Sequence, residues 1–379
     1  MPTPSLLIVP ARFKSGKLYS QIPTSGAGDF TVTRATNATR VNASGLIESV
    51  ASGIPRLDYF ASGGTVGCPA LLVEPSGTNL ALQSRDLSQG VWVKTNVTAV
   101  KNAVGADGIA SGATTLTATA ASGTVLQAIV NVSQSRIFSA YVRRVTGTGA
   151  VEMTTNGGTN WSTVTISSTY TQVACAAQTV LNGSVGFRMA VSGDVIEVDF
   201  TQSEVGPAFT SPIPTTTGSV TRNADLISVS GTASGIIGQT QGTIYAEVDI
   251  KNFTNGTRIL AISDGTQANR IALLFNTTNR IRLLATVTSS TQADINTATN
   301  QPAGIYKVAV AYALNDYVLY VNGTQIGTDT TALVPACSSV FLGTLETGSG
   351  LSSLNDRIRA AALYTTRLTN AELAALTSP

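Results

Sequence analysis

The sequence predicts an all-β fold built from tandem β-sandwiches. Three observations carry this prediction. Short runs rich in Val, Ile, Thr, Tyr and Phe recur along the chain, turn signals containing Gly, Asn or Asp separate them, and one short helical pattern stands at the C-terminal end. At 379 residues the chain exceeds the usual domain length of about 100–200 residues, so two or three domains are expected.

The first 85 residues form an irregular N-terminal segment. They are rich in Pro, Gly and Arg, and their apolar runs are short and uneven. After residue 85 the pattern becomes regular, and residues 86–207 predict a first β-sandwich. Its clearest strands are 136–145 (RIFSAYVRRV) and 195–200 (VIEVDF), and Asn182-Gly183 supplies a turn dipeptide suited to a hairpin.

A Pro- and Thr-rich stretch, residues 208–222, predicts a linker. Pro207, Pro212 and Pro214 fall within eight residues, a density that excludes a central strand because proline donates no ladder hydrogen bond. An extended and partly rigid connection is therefore expected. The boundary on its N-terminal side marks the end of the first sandwich.

Residues 223–379 predict a second sandwich closed by a short helix. Strand patterns occur at 243–250 (TIYAEVDI), 306–312 (YKVAVAY) and 317–321 (YVLYV). Near the C-terminus, Thr369 precedes Glu372 at the spacing of a capping box, and leucines and alanines follow at helical positions.

Composition excludes several classes of function. The formal charge is only +2, which argues against a dedicated nucleic-acid binder. No apolar run approaches the roughly 18 residues of a membrane helix, so no membrane insertion is expected. The apolar stretch 6–10 lacks a basic flank and is too short for a signal peptide, which predicts synthesis in the cytoplasm.

The chain contains no histidine, which removes Ser-His-Asp and Cys-His catalysis and the HExxH zinc site. Cys68, Cys175 and Cys337 lie far apart without a CxxC pair, so free and mostly buried thiols are expected. Asp264, Asn269 and Asp316 offer oxygen ligands, but Asp264-Gly265 reads as a turn. The sequence therefore predicts no metal and no cofactor.

The two tryptophans are the candidate ligand-binding residues. An exposed indole can stack on the apolar face of a sugar, whereas a tryptophan in a sandwich core is the commoner case. Trp161 follows the loop-like stretch 156–160 (NGGTN) and is the better candidate, and Trp92 is the weaker one.

One pair of acids raises the question of catalysis. Glu197 and Asp199 are two residues apart on a predicted strand, so both side chains point to one face. Paired carboxylates are the machinery of glycosidases, but two acids on an exposed strand are also commonplace. No catalytic residue is therefore assigned, and no enzyme is expected.

The C-terminal region, residues 223–379, resembles a laminin-G or concanavalin A-like jelly roll. The stretch 316–327 (DYVLYVNGTQIG) is similar to that family's hairpin, an alternating strand ending in an Asn-Gly turn. The stretch 355–369 (NDRIRAAALYTTRLT) resembles its closing strand and leads into a helical ending, LTNAEL at 368–373. The resemblance implies a lectin-like β-sandwich.

Most of residues 30–222 resemble phage and prophage fibre-type proteins. The matching text is TRATNATRVN (33–42), GLIE (45–48), GIPRLDY (53–59) and LLVEPSGTNL (71–80). The stretch 84–92 (SRDLSQGVW) looks like the start of a carbohydrate-binding-module-like sandwich. Its apparent end, 202–215, departs from related text by having Pro212 where an aromatic residue is common.

These resemblances imply a structural protein of a bacteriophage virion surface: a tail fibre, receptor-binding protein or head fibre. Residues 1–85 would anchor it to other virion proteins, its sandwiches would bind host-surface glycan, and a homotrimer is expected. Two alternatives stay open, a virion polysaccharide depolymerase using Glu197 and Asp199 and a bacterial surface adhesin or lectin.

Overall fold

Strands make up nearly all of the regular secondary structure in the described residues, which confirms the predicted all-β class. The computed structural model describes residues 1–59, 67–251, 256–350 and 352–379. The chain forms two compact units: unit 1 comprises Met1–Gly45, Val50–Ser76 and Asn223–Pro379, and unit 2 comprises Leu46–Ser49 and Gly77–Arg222.

The strands are numbered in chain order. Those of the N-terminal part are β1 Leu6–Ile8, β2 Phe13–Lys14, β3 Lys17–Leu18, β4 Phe30–Thr33, β5 Ala38–Val41, β6 Ile47–Val50, β7 Leu57–Asp58 and β8 Ala70–Val73. Those of the middle part are β9 Gly77–Asn79, β10 Val93–Thr95, β11 Val97–Ala103, β12 Ala113–Ala118, β13 Gly123–Ala128, β14 Gln134–Thr146, β15 Val151–Thr154, β16 Ser162–Val164, β17 Thr171–Ala174, β18 Gln178–Val180, β19 Ser184–Met189, β20 Val195–Val205 and β21 Val220–Arg222. Those of the C-terminal part are β22 Leu226–Val229, β23 Gln241–Ile250, β24 Arg258–Ser263, β25 Arg270–Phe275, β26 Ile281–Val287, β27 Ser290–Asn296, β28 Gly304–Ala313, β29 Asp316–Val321, β30 Thr324–Asp329, β31 Ser339–Leu342 and β32 Asp356–Tyr364.

Unit 1 is a sandwich of two antiparallel sheets. Sheet A has the order β30-β29-β28-β23-β32-β8-β7, with β1 also paired to β32, and sheet B has the order β2-β3-β4-β22-β31-β24-β25-β26-β27. Alternate apolar residues of both sheets are buried against one another in a single core, for example Ile244 and Val308 from sheet A with Leu260 and Leu273 from sheet B.

Unit 2 is a second and smaller sandwich. Sheet C has the order β10-β13-β19-β15-β16, and sheet D has the order β11-β12-β20-β14-β17, with β18 also paired to β14. The rings of Phe138 in sheet D and Phe187 in sheet C meet edge to face, with their centroids 5.4 Å apart. Aromatic and aliphatic residues therefore join the two sheets in one core.

The N-terminal segment supplies strands to both sheets of unit 1. Leu7 of β1 pairs with Ala362 in sheet A, and Val32 of β4 pairs with Ile227 in sheet B. These strands are only a few residues long and their partners are distant in sequence. This explains why the sequence pattern of residues 1–85 is irregular. The anchoring role expected of residues 1–85 stays a prediction.

The Pro- and Thr-rich segment is held on unit 2 by side chains rather than by a strand ladder. The Glu204 carboxylate accepts hydrogen bonds from the Thr210 amide and hydroxyl, both at 2.8 Å. Gln202 Oε1 accepts from the Ile213 amide at 2.6 Å, and Asn79 Nδ2 donates to the Ile213 carbonyl at 2.8 Å. Ile213 is buried, so this part of the predicted linker packs as a fixed segment of unit 2.

The predicted C-terminal helix is confirmed as α1, Asn370–Leu376. The Thr369 hydroxyl accepts from the Glu372 amide, and the Glu372 carboxylate accepts from the Thr369 amide at 2.9 Å, which forms the capping box expected from the sequence. These hydrogen bonds lower the pKa of Glu372. Leu373 packs with Tyr320 and Tyr364, so the helix covers the outer face of sheet A.

Candidate functional site

The main candidate site is a cleft of about 590 Å³ in unit 1. Its walls come from four parts of the chain: the end of β4, the segment after β8, the segment that leads into β22 and the segment before β32. This cleft, called the unit 1 cleft below, is lined by Thr33, Arg34, Ala35, Pro75, Ser76, Asn223, Ala224, Leu226, Gly350 and Ser352. Its volume lies within the range of small-ligand sites, roughly 300–1,000 Å³.

A buried network of charges fixes the segments that form the unit 1 cleft. Asp225 accepts from Arg34 at 2.7 Å, and its second carboxylate oxygen binds Arg56. Arg56 also binds Glu74 at 2.6 Å. Burial alone would lower the pKa of Arg56, but the two carboxylates more than offset this effect and raise that pKa. The network therefore ties residues 34, 56, 74 and 225 together, and Arg34 is itself part of the cleft lining.

The chemistry of the cleft lining is mixed. Pro75, Ala224 and Leu226 supply apolar surface, while Ser76 and Ser352 supply hydroxyl groups. Such a surface suits an uncharged polar ligand that also has an apolar face. Gly350 is needed for the close approach of one wall, because a Cβ atom there would lie 2.3 Å from Cβ of Ala224.

A second cluster of charges lies at the ends of β23 and β32 in sheet A. Arg357 donates to Asp58 at 2.8 Å, and Asp356 accepts from the Lys251 amide at 2.6 Å. Burial raises the pKa of Asp249. Burial and the positive charge of Arg357 lower the pKa of Lys251 to about 8.

This shift predicts a rise in the stability of unit 1 above pH 8. An unfolded lysine titrates near 10.5, so between these two pKa values the unfolded chain binds more protons than the folded chain. The contribution of Lys251 to the free energy of unfolding should therefore increase from pH 8 to about 9.5. Cys337 opposes it in the same range, because the pKa of its thiol is near 9.0 in the unfolded chain and about 12 in the folded one. The contribution of Lys251 is therefore the difference between the slopes of wild type and Lys251→Met in urea unfolding across this range. The slope should be lower in Lys251→Met, and an equal slope in that variant would contradict the assignment.

Trp161 lies in unit 2, just before β16, and is partly exposed. The Arg188 guanidinium carbon lies 4.7 Å from the centroid of its ring, and Arg188 donates to Glu152 at 2.6 Å. A Cβ atom at Gly158, where φ is +94°, would lie 2.9 Å from the Trp161 ring. The indole is thus held in place by Arg188 and by the backbone of a glycine turn, while part of it remains accessible to solvent.

Trp92 is completely buried in the core of unit 2. Its indole nitrogen donates to the carbonyl of Leu82 at 3.1 Å, which satisfies its polar group inside the unit. The ring therefore offers no exposed face for a ligand, and its evident contribution is to packing.

Glu197 and Asp199 lie on one face of β20, but each is engaged by its own arginine. Glu197 accepts from Arg143 at 2.5 Å. Asp199 is buried and accepts from Arg85 at 2.8 and 3.0 Å. Burial raises the pKa of Asp199 despite these contacts. The two acids thus belong to separate ion pairs rather than to one shared site.

The oxygen-bearing residues weighed as calcium ligands are used within the fold. Asp264 accepts from Thr266 and Asn269 inside its own turn, and Asp316 pairs with Arg367 at 2.9 Å. In the described part of the chain no group of three or more Cys, Asp or Glu could hold a metal ion. The three cysteines are free, and burial raises the pKa of Cys337 to about 12.

No helix in the described ranges has the length and apolar character needed to cross a membrane.

Residues 222–374 match the sequence model of the concanavalin A-like lectin/glucanases superfamily. The match begins one residue before the predicted boundary at 223, and it includes the hairpin and the closing strand that carry the resemblance. This part of unit 1 is therefore a concanavalin A-like domain.

Solved structures with some likeness to the chain include sugar-binding modules. The CBM40 module of the Ruminococcus gnavus IT-sialidase is 22% identical, with 38% of this chain and 87% of that chain covered and a TM-score of 0.34. Domain 4 of AbnA, an extracellular GH43 arabinanase from Geobacillus stearothermophilus solved with arabinotriose, is 16% identical, with coverage of 45% and 82% and a TM-score of 0.35. A heptameric SAP-like pentraxin from Limulus polyphemus is 17% identical, with coverage of 35% and 68% and a TM-score of 0.28. A search of curated protein sequences finds no match to the chain.

Proposed function

We propose that the protein is a non-enzymatic structural component of a bacteriophage virion surface and that it binds glycans of the host surface. The observation that carries the glycan-binding part is the unit 1 cleft, which is formed by a domain of the lectin/glucanase superfamily and the N-terminal strands. A sugar ring presents hydroxyl groups at its edge and C–H groups on its faces. The hydroxyl and apolar groups of the cleft lining complement both.

The buried network that includes Arg34 of the cleft lining supports this role. Because Arg34, Arg56, Glu74 and Asp225 are fixed by ion pairs, the segments that carry the lining residues are held in place before a ligand arrives. A preorganised site loses less conformational entropy on binding than a mobile one. Neutral hydrogen-bonding groups then provide the contacts with the ligand.

A variant that fills the unit 1 cleft tests this proposal. Ala35 lines the cleft and is exposed, so Ala35→Trp should occupy the ligand space without disturbing the core. We expect at least a tenfold loss of affinity for a bound oligosaccharide, which corresponds to about 1.4 kcal/mol. Isothermal titration calorimetry measures the change. Ala27→Trp, at another exposed alanine of unit 1, is the matched control and should bind normally. Equal affinity in both variants would place glycan binding elsewhere.

Trp161 is proposed as a separate sugar contact on unit 2. Its partly exposed ring is fixed by Arg188, and an aromatic face held in this way stacks on a sugar without further ordering. The non-enzymatic part of the proposal is supported by the separate ion pairs of Glu197 and Asp199, in which each acid is engaged by its own arginine.

The virion part of the proposal is supported by the resemblance of residues 30–222 to phage fibre-type proteins. Immunogold labelling of intact particles from the source tests it, and label at the tail tip or over the capsid is expected. Label on the surface of the bacterial cell alone would instead favour the adhesin alternative. Light scattering of the purified protein tests the expected homotrimer, and a monomeric mass at micromolar concentration would contradict it.

A further inference from the structure

Arg136 in β14 is a buried arginine with no partner for its charge. It is 0% exposed, and its three guanidinium nitrogens make no hydrogen bond with any described residue. Desolvation lowers the pKa of Arg136 without any opposing contribution from a carboxylate. An arginine nevertheless stays protonated in a protein. A buried cation without a counter-charge is strongly unfavourable, so this position calls for an anionic partner.

The strand register shows where the guanidinium points. Phe138 lies opposite Ser203, and Arg136 lies opposite Val205. Residues opposite one another in an antiparallel pair share a face, and residues two apart on a strand share it too. Because Phe138 packs in the core, Arg136 and Ser203 also point between the two sheets of unit 2. Ser203 is 0% exposed, and its hydroxyl has no partner.

The neighbouring acid cannot neutralise Arg136. Glu204 lies opposite Ile137, which places its carboxylate on the other face of sheet D. There it accepts hydrogen bonds from Gln202 and Thr210. The sheet itself therefore separates the buried acid from the buried base.

A further donor lies at the same end of the sandwich. Gln178 of β18 stands opposite Arg136 and accepts from Asn156 at 2.9 Å, which brings the segment after β15 to this position. Thr155 immediately precedes Asn156. It is 0% exposed, and its hydroxyl also lacks a partner. One buried guanidinium and two buried hydroxyls are thus available as donors in this region.

We propose that unit 2 binds a small monovalent anion of the halide class between Arg136, Ser203 and Thr155. The guanidinium supplies charge and N–H donors, and each hydroxyl can turn its proton toward the ion. Complete burial of all three residues excludes a polymer or a bulky acid, which selects a small ion. The ion stabilises the folded unit because it binds the folded chain and not the unfolded one. This proposal does not depend on glycan binding.

Thermal unfolding of the full chain in different sodium salts tests the proposal. At equal ionic strength, chloride or bromide should raise the Tm of unit 2 above its value in gluconate, which is too large to enter, by about 2–4 °C. Arg136→Met should abolish this difference. Arg143→Met is the matched control, since Arg143 lies on the same strand, is partly exposed and pairs with Glu197, and it should keep the difference. No halide effect in the wild type, or the same effect in Arg136→Met, would overturn the proposal.

A crystal of the wild-type protein grown in bromide gives a second test that needs no variant. The anomalous difference map should show a peak within hydrogen-bonding distance of the Arg136 guanidinium. If Arg136→Met fails to fold, this map decides the question. Absence of a peak at Arg136, with bromide bound only at the protein surface, would overturn the proposal.

Discussion

Replacing Asp225 with Asn is expected to lower the free energy of unfolding of unit 1 by about 3–5 kcal/mol. Asp225 is 1% exposed and binds two arginines, Arg34 and Arg56, that are themselves buried. Asparagine has nearly the same shape but no charge, so two guanidinium groups would then face Glu74 as the remaining acid of the network. Leaving buried charge uncompensated is among the most destabilising changes that one substitution can make.

Hydrogen exchange in increasing urea, read on peptides of unit 1, measures this effect without assuming that the two units unfold together. Asp294→Asn is the matched control, because the Arg282–Asp294 pair has exposures of 29% and 40% and should contribute less than about 1 kcal/mol. An equal loss of free energy of unfolding in both variants would show that the buried network stabilises unit 1 no more than an exposed ion pair does.

Replacing Trp92 with Ala is expected to lower the free energy of unfolding of unit 2 by about 3–5 kcal/mol. The side chain is 0% exposed, lies among the apolar core residues and donates a hydrogen bond to Leu82. The substitution leaves a large cavity and removes one of the two hydrogen bonds that the Leu82 carbonyl accepts, the other coming from Gln127. Trp161→Ala should cost less than about 1 kcal/mol, because Trp161 is partly exposed and lies outside that core.

The two tryptophans should also differ in ligand binding. Trp92 matters more for stability, whereas Trp161 should matter more for binding. Trp161→Ala should weaken binding of a glycan by unit 2 about tenfold through the lost stacking surface. Trp92→Phe keeps most of the core volume and should bind glycan normally at a temperature where it is folded. Loss of binding in Trp92→Phe together with normal binding in Trp161→Ala would reverse the assignment of these residues.

Much of the fold could be predicted from local sequence patterns. The capping box at Thr369 and Glu372 and the strands 243–250 and 306–312 depend on residues that are close in sequence, and the structure confirms them. The contribution of the N-terminal segment to unit 1 could not be predicted in this way. The strand β1 has three residues and pairs with β32 at the far end of the chain, and no local pattern encodes such a pairing.

The candidate site was harder to predict for the same reason. Arg34, Arg56, Glu74 and Asp225 come from separate segments, and each looks like an ordinary surface charge when its neighbours in sequence are considered alone. Only the fold brings them together. The sequence carries only a weak signal: single charges, Arg34 and Glu74, directly follow the strand patterns 30–33 and 70–73, whose apolar residues are buried.

Two other local patterns predict where residues lie but not which side chains engage them. The spacing of Glu197 and Asp199 correctly places them on one face, but it cannot show that Arg143 and Arg85 engage them separately. The prolines near residue 212 correctly exclude a central strand, but they do not show that Gln202 and Asn79 hold Ile213 in place. In both cases the decisive contacts come from side chains distant in sequence.

Binding of the purified full-length protein to an array of bacterial surface glycans is the most direct test of the central claim. We expect saturable binding to a small set of related glycans, with a marked loss in Ala35→Trp and no loss in Ala27→Trp. Release of shortened glycan fragments from the array would instead indicate an enzyme. If the folded and assembled protein binds none of the surface glycans, this result would contradict the proposed glycan binding.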